Sequence, residues 1–141
     1  MIQFFYKQIA WRLIPVYTTQ KWVLRIIAWY GYQVQELSYI FTNDGDLKTM
    51  NKQYLQHDEY TDILTFNYNE TQESYIWAEI YISIDRVREN AQQIAVSFYD
   101  ELHRVMIHGV LHLLGYNDIT EAEQKEMRSA EDRALMLRKK Y

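Results

Sequence analysis

The sequence predicts a single α+β domain over residues 1–141, a small mixed sheet with helices packed on it. Three observations predict it. Strand-like and helix-like segments follow one another as strand, helix, strand, helix, two strands and three helices, an order that suits helices laid on a sheet. Nearly half of the residues are apolar and 16% are aromatic, enough to build a sizeable core. One Pro, four Gly and no low-complexity run leave no linker at which to divide a chain of 141 residues, which is about one domain by length.

Each element has a local reason. Residues 1–7 alternate weakly and are rich in Ile, Phe and Tyr, as a first strand would be. Pro15 breaks the segment after this strand, and Thr18 or Thr19 is the expected N-cap of a helix carrying Trp22, Ile26, Trp29 and Tyr30 on one stripe and ending at Gly31. Residues 33–42 read as a strand. Asn43-Asp44-Gly45-Asp46 is a turn signal. Leu47, Met50, Asn51 and Tyr54 then have helical spacing, and 57–60 form a polar loop. Residues 61–68 and 75–84 are the strongest strand segments, joined by a polar stretch that suits a hairpin loop or a crossover. A helix runs from Asp85 toward Ala95. Ser97 with Asp100 resembles a capping box opening a helix over roughly 98–114, apolar nearly all round and so central and buried. Thr120 with Glu123 is a full capping box for a last helix over 120–139.

Composition narrows the chemistry. There is no Cys, so disulfides and thiolate zinc sites are excluded, and any metal must be held by His, Asp or Glu. The apolar N-terminus is interrupted by Lys7 and Arg12 and reads as a buried strand and not as a signal peptide. No run of 18 apolar residues exists, so no membrane span is expected and a cytoplasmic protein is the default. A formal net charge of −4 does not advertise nucleic-acid binding, although a local basic patch is compatible with it.

The richest stretch is His108-Gly109-Val110-Leu111-His112-Leu113-Leu114-Gly115-Tyr116-Asn117-Asp118. On a helix, His108 and His112 differ by about 40° in azimuth and one turn in height, so both imidazoles share a face. Gly115 can end that helix in the left-handed conformation, after which Asp118 can return a third ligand to the same ion. Two ring nitrogens and a carboxylate suit Zn²⁺ with a fourth position left for water, the layout of a catalytic site. The spacing matches the ligand frame of metzincin-type sites, yet the position of their general base, a Glu directly after the first His, is Gly109.

These residues resemble a known family. His108-Gly109-x-Leu111-His112-Leu113-x-Gly115-Tyr116 is similar to the H-G-x-L-H-L-x-G-Y-D-H signature of the YbeY family, bacterial endoribonucleases of rRNA maturation. Asn51-x-x-Tyr54 followed by Asp58-x-x-Thr61-Asp62-Ile63-Leu64-Thr65-Phe66 resembles the family's second block, Ala78-Glu79-Ile80 resembles its Gly-Asp-Ile strand, and Glu101 and Ile107 also fit. The resemblance implies a four-stranded, mostly parallel sheet covered by helices, with the metal at the mouth of a cleft. It also implies one Zn²⁺ per chain, a single-stranded rRNA precursor as substrate, maturation of the 16S rRNA 3′ end, and the ribosomal subunit as partner.

Three departures from the pattern bear on chemistry. Asp118 stands where the third His is expected and Asn117 where an Asp is. A carboxylate still binds Zn²⁺, but its charge makes the site less electrophilic and brings Mn²⁺ and Fe²⁺ closer to contention. Leu55 replaces the family's Arg, a residue associated with RNA phosphate, and Lys52 and His57 are the nearby candidates to substitute. Tyr60 replaces a Pro. Among other polar residues, Glu79 on a half-buried strand is the candidate to orient or deprotonate the water. Arg104, one turn before His108, either meets substrate phosphate or pairs with Asp100. Glu101 is expected to be a helix N-terminal charge, with a role supporting the metal ligands as the alternative, and His103 to be an exposed or core-edge residue turned away from the metal. The leading function is therefore a metal-dependent endoribonuclease of rRNA processing and ribosome quality control. Its rivals are a metallopeptidase with metzincin-like ligands and a non-catalytic ribosome-assembly factor. The oligomeric state is open.

Overall fold

In the computed structural model, which describes residues 1–56 and 61–140, nine elements follow the expected order. Strand β1 (Ile2–Tyr6) leads to helix α1 (Val16–Trp29), β2 (Gln33–Thr42) and α2 (Asp44–Leu55). The hairpin β3 (Ile63–Asn67) and β4 (Tyr75–Ser83) is followed by α3 (Ile84–Gln93), α4 (Phe98–Leu113) and α5 (Glu121–Arg138). The sheet order is β1-β2-β4-β3. β1 and β4 both run parallel to β2, and only the edge strand β3 is antiparallel.

Alternation along the two central strands sorts the sheet into two faces. Leu37, Tyr39 and Phe41 of β2 and Ala78, Ile80 and Ile82 of β4 are buried in the main core, with α1, α4 and α5 contributing to it. From α4 come Leu102, Val105, Met106, Ile107, Val110 and Leu111, all buried, and each aliphatic side chain so buried contributes about 1.5–3 kcal/mol. The Tyr39 hydroxyl donates to the Met106 carbonyl at 2.9 Å, fixing the height of α4 on the sheet. The opposite face is covered at one end by α2, whose Leu47 and Met50 pack with Leu64, Phe66 and Tyr81.

Two helix starts differ from the sequence expectation. α1 begins immediately after Pro15, which caps it with no side-chain bond. Thr19 lies inside the helix and donates its hydroxyl to the Pro15 carbonyl at 2.7 Å. Pro is compatible with a helix start because its fixed φ suits the entry and its missing N–H has no intrahelical partner there. Trp22 and Ile26 are buried as expected, whereas Trp29 is 64% exposed. The expected turn at Asn43–Asp46 is the first turn of α2, with the Asn43 side chain accepting from the Asp46 amide at 2.8 Å. Asn serves turns and N-caps by the same side-chain to backbone bond, so the two are alike in sequence. The segment between β3 and β4 is a hairpin loop held by Asn69, whose side chain accepts from the Thr71 amide and donates to the carbonyls of Glu73 and Tyr75. Ser97 caps α4 through the Asp100 amide, and Thr120 and Glu123 make both bonds of the capping box on α5.

His103 sits at the core edge, its ring against Trp22 (5.4 Å between centroids) and Tyr99 (5.8 Å). Burial, reinforced by Arg138, lowers its pKa to about 4. The folded protein thus holds it neutral where the unfolded chain, with an ordinary value near 6.5, would protonate it. Its contribution is fully present above pH 6.5 and is lost as the pH falls toward 4, on the order of 2–3 kcal/mol. The denaturant midpoint of the wild type should fall relative to that of His103→Phe as the pH is lowered through that window. A constant difference from pH 4 to pH 7 would contradict the assignment.

Candidate metal centre

α4 ends in a geometry that aims the third ligand. Gly115 takes φ +105° and donates to the His112 carbonyl at 3.1 Å, while the Tyr116 amide donates to Leu111 at 3.0 Å. This paired closure is a Schellman motif, and a left-handed residue at that point is what glycine supplies without strain. The chain then doubles back, and Gln124 of α5 donates to the Asp118 carbonyl at 3.1 Å. Asp118 is thereby brought to the two histidines. His108 Nε2 and His112 Nε2 are 3.1 Å apart, and Asp118 Oδ2 lies 3.2 Å from the second and 3.4 Å from the first.

These three atoms could hold a metal ion. A tetrahedral ion with bonds of about 2.0–2.1 Å has ligand edges of about 3.3 Å, so the donor set fits without rearrangement. His108 is further braced. Its Nδ1–H donates to Glu131 Oε2 at 2.7 Å, which leaves the Nε2 lone pair facing the cluster. Burial works against protonation of His108, but Glu131, Asp118 and Asp62 together outweigh it and hold its pKa above the ordinary imidazole value. Glu131 is itself buried and its other oxygen accepts from Arg104 at 2.8 Å; against the cost of burial, His108 and Arg104 hold its carboxyl below the usual range.

The cluster opens onto a cavity of about 360 Å³ lined in part by Asp62, Glu101, Arg104, Arg128 and Glu131. Burial raises the carboxyls of both Asp62 and Glu101; His108 partly offsets this for Asp62, and Asp62 adds to it for Glu101. Glu101 is the first-turn charge of α4 that the sequence predicts, and it is also buried, 8% exposed, in this wall. Arg104 also belongs to the wall. It pairs with Glu131 and, at 2.7 Å, with Asp132, and not with Asp100.

Two other sequence candidates are not brought to the cluster. Glu79 alternates with Ala78 and Ile80, which face the main core, so it points to the opposite side of the sheet. There it accepts the Tyr68 hydroxyl and lines a separate depression with Glu36, Ser38 and Trp77. Period-two alternation separates two faces but does not say which one meets the histidines. Lys52 is exposed on α2, the helix packed on that same opposite face. His57 lies outside the described residues. Conversely, Glu131 and Asp62 are site residues that the sequence alone does not single out. Glu131 had a signal: it falls on the buried stripe of α5 with Met127, Ala130 and Ala134, where a carboxylate requires a partner.

Comparison with known proteins shows the family. The family model described as endoribonuclease YbeY matches residues 8–138. The chain belongs to the endoribonuclease YbeY family. Curated YbeY relatives include the protein of Bacteroides thetaiotaomicron, 45% identical over 120 residues (85% of this chain and 86% of that one). That of Cytophaga hutchinsonii is 44% identical over 138 residues, covering 98% and 96% of the two chains. Among solved structures, the solution structure of a Thermotoga maritima protein matches with a TM-score of 0.67 at 27% identity, covering 95% of this chain and 86% of that chain. A YbeY sheet, mostly parallel and four-stranded, is what the chain forms. No helix among the described residues is long and apolar enough to cross a membrane.

Proposed function

We propose that this YbeY-family endoribonuclease cleaves single-stranded rRNA precursors, including the 3′ end of 16S rRNA, in the cytoplasm and on the ribosomal subunit. We assign it one Zn²⁺ per chain, held by His108, His112 and Asp118. The observation that carries the reading is the triangle of three donor atoms with edges of 3.1–3.4 Å, opening onto a cavity, in a chain of this family.

When bound, the ion supplies Lewis acidity toward a phosphodiester oxygen and lowers the pKa of water. The chain supplies the rest. Glu131 holds the His108 ring in one tautomer and orientation. Asp62, in the cavity wall with its carboxyl raised by burial, is the group placed to accept the proton of the attacking water, the role the sequence assigns to Glu79. Arg128, exposed at the rim, is a cation for the phosphate in the absence of an Arg at position 55, whereas Arg104 is held by Glu131 and Asp132.

The rival readings are not favoured. A peptidase of metzincin type needs a Glu where Gly109 packs against the sheet. The braced ligand set in a family of endoribonucleases weighs against a purely structural role. Stripping divalent ions from the purified protein should abolish cleavage of an unstructured RNA, and equimolar Zn²⁺ should restore it, with Mn²⁺ and Fe²⁺ compared in parallel. RNA cleavage that survives chelation would sink the metal-dependent reading, and metal-restored cleavage of a peptide with RNA left intact would favour the peptidase.

A further inference from the structure

Charge is distributed very unevenly along the chain. Residues 1–35 contain Lys7, Arg12, Lys21 and Arg25 and no Asp or Glu. Of the chain's 15 bases and 19 acids, residues 36–141 therefore hold 11 and all 19. Helix α1 presents this excess on one exposed stripe. Tyr17, Lys21, Arg25 and Trp29 recur every four residues and so stack along one face, with the rings 69% and 64% exposed at its two ends. The Lys21 ammonium stands 5.2 Å from the Tyr17 ring centroid. Among the described residues no carboxylate lies within ion-pair distance of Lys21 or Arg25. Beside the stripe, Leu24, Ala28 and Leu137 of α5 complete a groove of about 700 Å³.

A series of ring contacts leads from this groove to the loop that carries Asp118. The Trp29 ring lies 6.3 Å from that of Tyr30. Tyr30 meets Tyr116 edge-on at 5.8 Å, their hydroxyls 3.1 Å apart, with the Arg133 guanidinium beside them. Tyr116 is two residues before the ligand Asp118. Lys125 and Arg133, with one carboxylate, Glu126, line the surface next to Tyr116.

We propose that single-stranded RNA leaving the metal centre passes Tyr116 and Tyr30 and docks on α1, with a base stacked on Trp29 and phosphates paired to Arg25 and Lys21. The inference rests on the endoribonuclease reading and deepens it. Aromatic faces interleaved with unpaired cations are how single strands are held without regard to sequence. A polyanion complements the acid-free part of an otherwise acidic chain, and the run of exposed and half-buried rings from Trp29 to Tyr116, two residues from Asp118, favours RNA over an acidic protein segment.

The test uses the full chain, with divalent ions chelated to prevent cleavage, and a fluorescein-labelled unstructured RNA of about 16 nucleotides, the upper end of the site sizes single-strand binders cover. Trp29→Ala is expected to weaken binding about tenfold, the loss of one stacked base, and Trp29→Phe to restore most of it. Lys21→Ala with Arg25→Ala should flatten the dependence of log Kd on log salt by about 1.4, two phosphate contacts on a single strand. All of these side chains are exposed, so the variants should melt like the wild type. Wild-type affinity and salt dependence in the variants, beside a wild type that binds and cuts RNA, overturn the docking path and leave the groove to a protein partner. A wild type that neither binds nor cuts RNA overturns the endoribonuclease reading and the path with it.

Discussion

Replacing His112 with Ala is expected to lower RNA cleavage by about 10³-fold or more while leaving the fold in place. The His112 side chain is 32% exposed, and among the described residues its Nε2 faces His108 and Asp118, so its removal opens no large cavity. Ala is also the better helix former near the end of α4. What disappears is one of three donors, and two cannot close the triangle around an ion. The measurement is initial cleavage rate on an unstructured RNA beside a thermal melt of each protein. Loss of activity with an unchanged melt is the expected pair. Wild-type rates from the variant would mean that the cluster is not the catalytic centre.

Gly109→Glu should be the most damaging single change in stability. A Cβ at this position would stand 2.9 Å from Ile63 Cδ1 and 3.0 and 3.3 Å from two atoms of Ile80. α4 therefore lies on the sheet at backbone distance. Glu would bring both this clash and a carboxylate enclosed between Ile63 and Ile80. Buried unpaired charge plus overpacking costs more than about 4 kcal/mol, a large part of a typical domain's stability. Gly109→Ala carries only the steric part, about 1–3 kcal/mol, less the roughly 1 kcal/mol that Ala adds to helix propensity. The expected order of melting temperatures is wild type, Ala, then Glu with no cooperative transition. A Glu variant that melts with the wild type would show that the side chain escapes into the metal cavity, and would reopen the peptidase comparison.

Much of the fold is legible in the chain because local signals agree with one another. The alternating run 33–42 is β2 residue for residue, Gly31 and Gly115 fall where α1 and α4 stop, and the Thr120–Glu123 box starts α5. The three residues that could hold a metal are legible for the same reason: all lie within eleven residues, so helix geometry and one turn relate them. What escapes depends on distant pairing. Glu79 shows that a strand's two faces look equivalent until the helices choose one. Asp62 and Glu131 reach the cavity only because β3 and α5 pack on α4, and no spacing along the chain records that. Asn43 and Pro15 mislead differently, since each suits two local structures and the neighbouring element decides between them.

The bridge from Glu131 to His108 makes α5 part of the metal site's thermodynamics. By reciprocity, whatever the docked position of α5 contributes to ion affinity, a bound ion returns to the docking of α5 by the same factor. An ion at 100 times its dissociation constant adds about 2.7 kcal/mol to the stability of a protein that binds it only when folded. Part of that increment is borne by Glu131, whose carboxylate also holds Arg104 and so ties the two helices together. With an ion held by the triad, local opening of α5 and ion release would be one coupled equilibrium, and metal supply would set how often the C-terminal helix leaves the core.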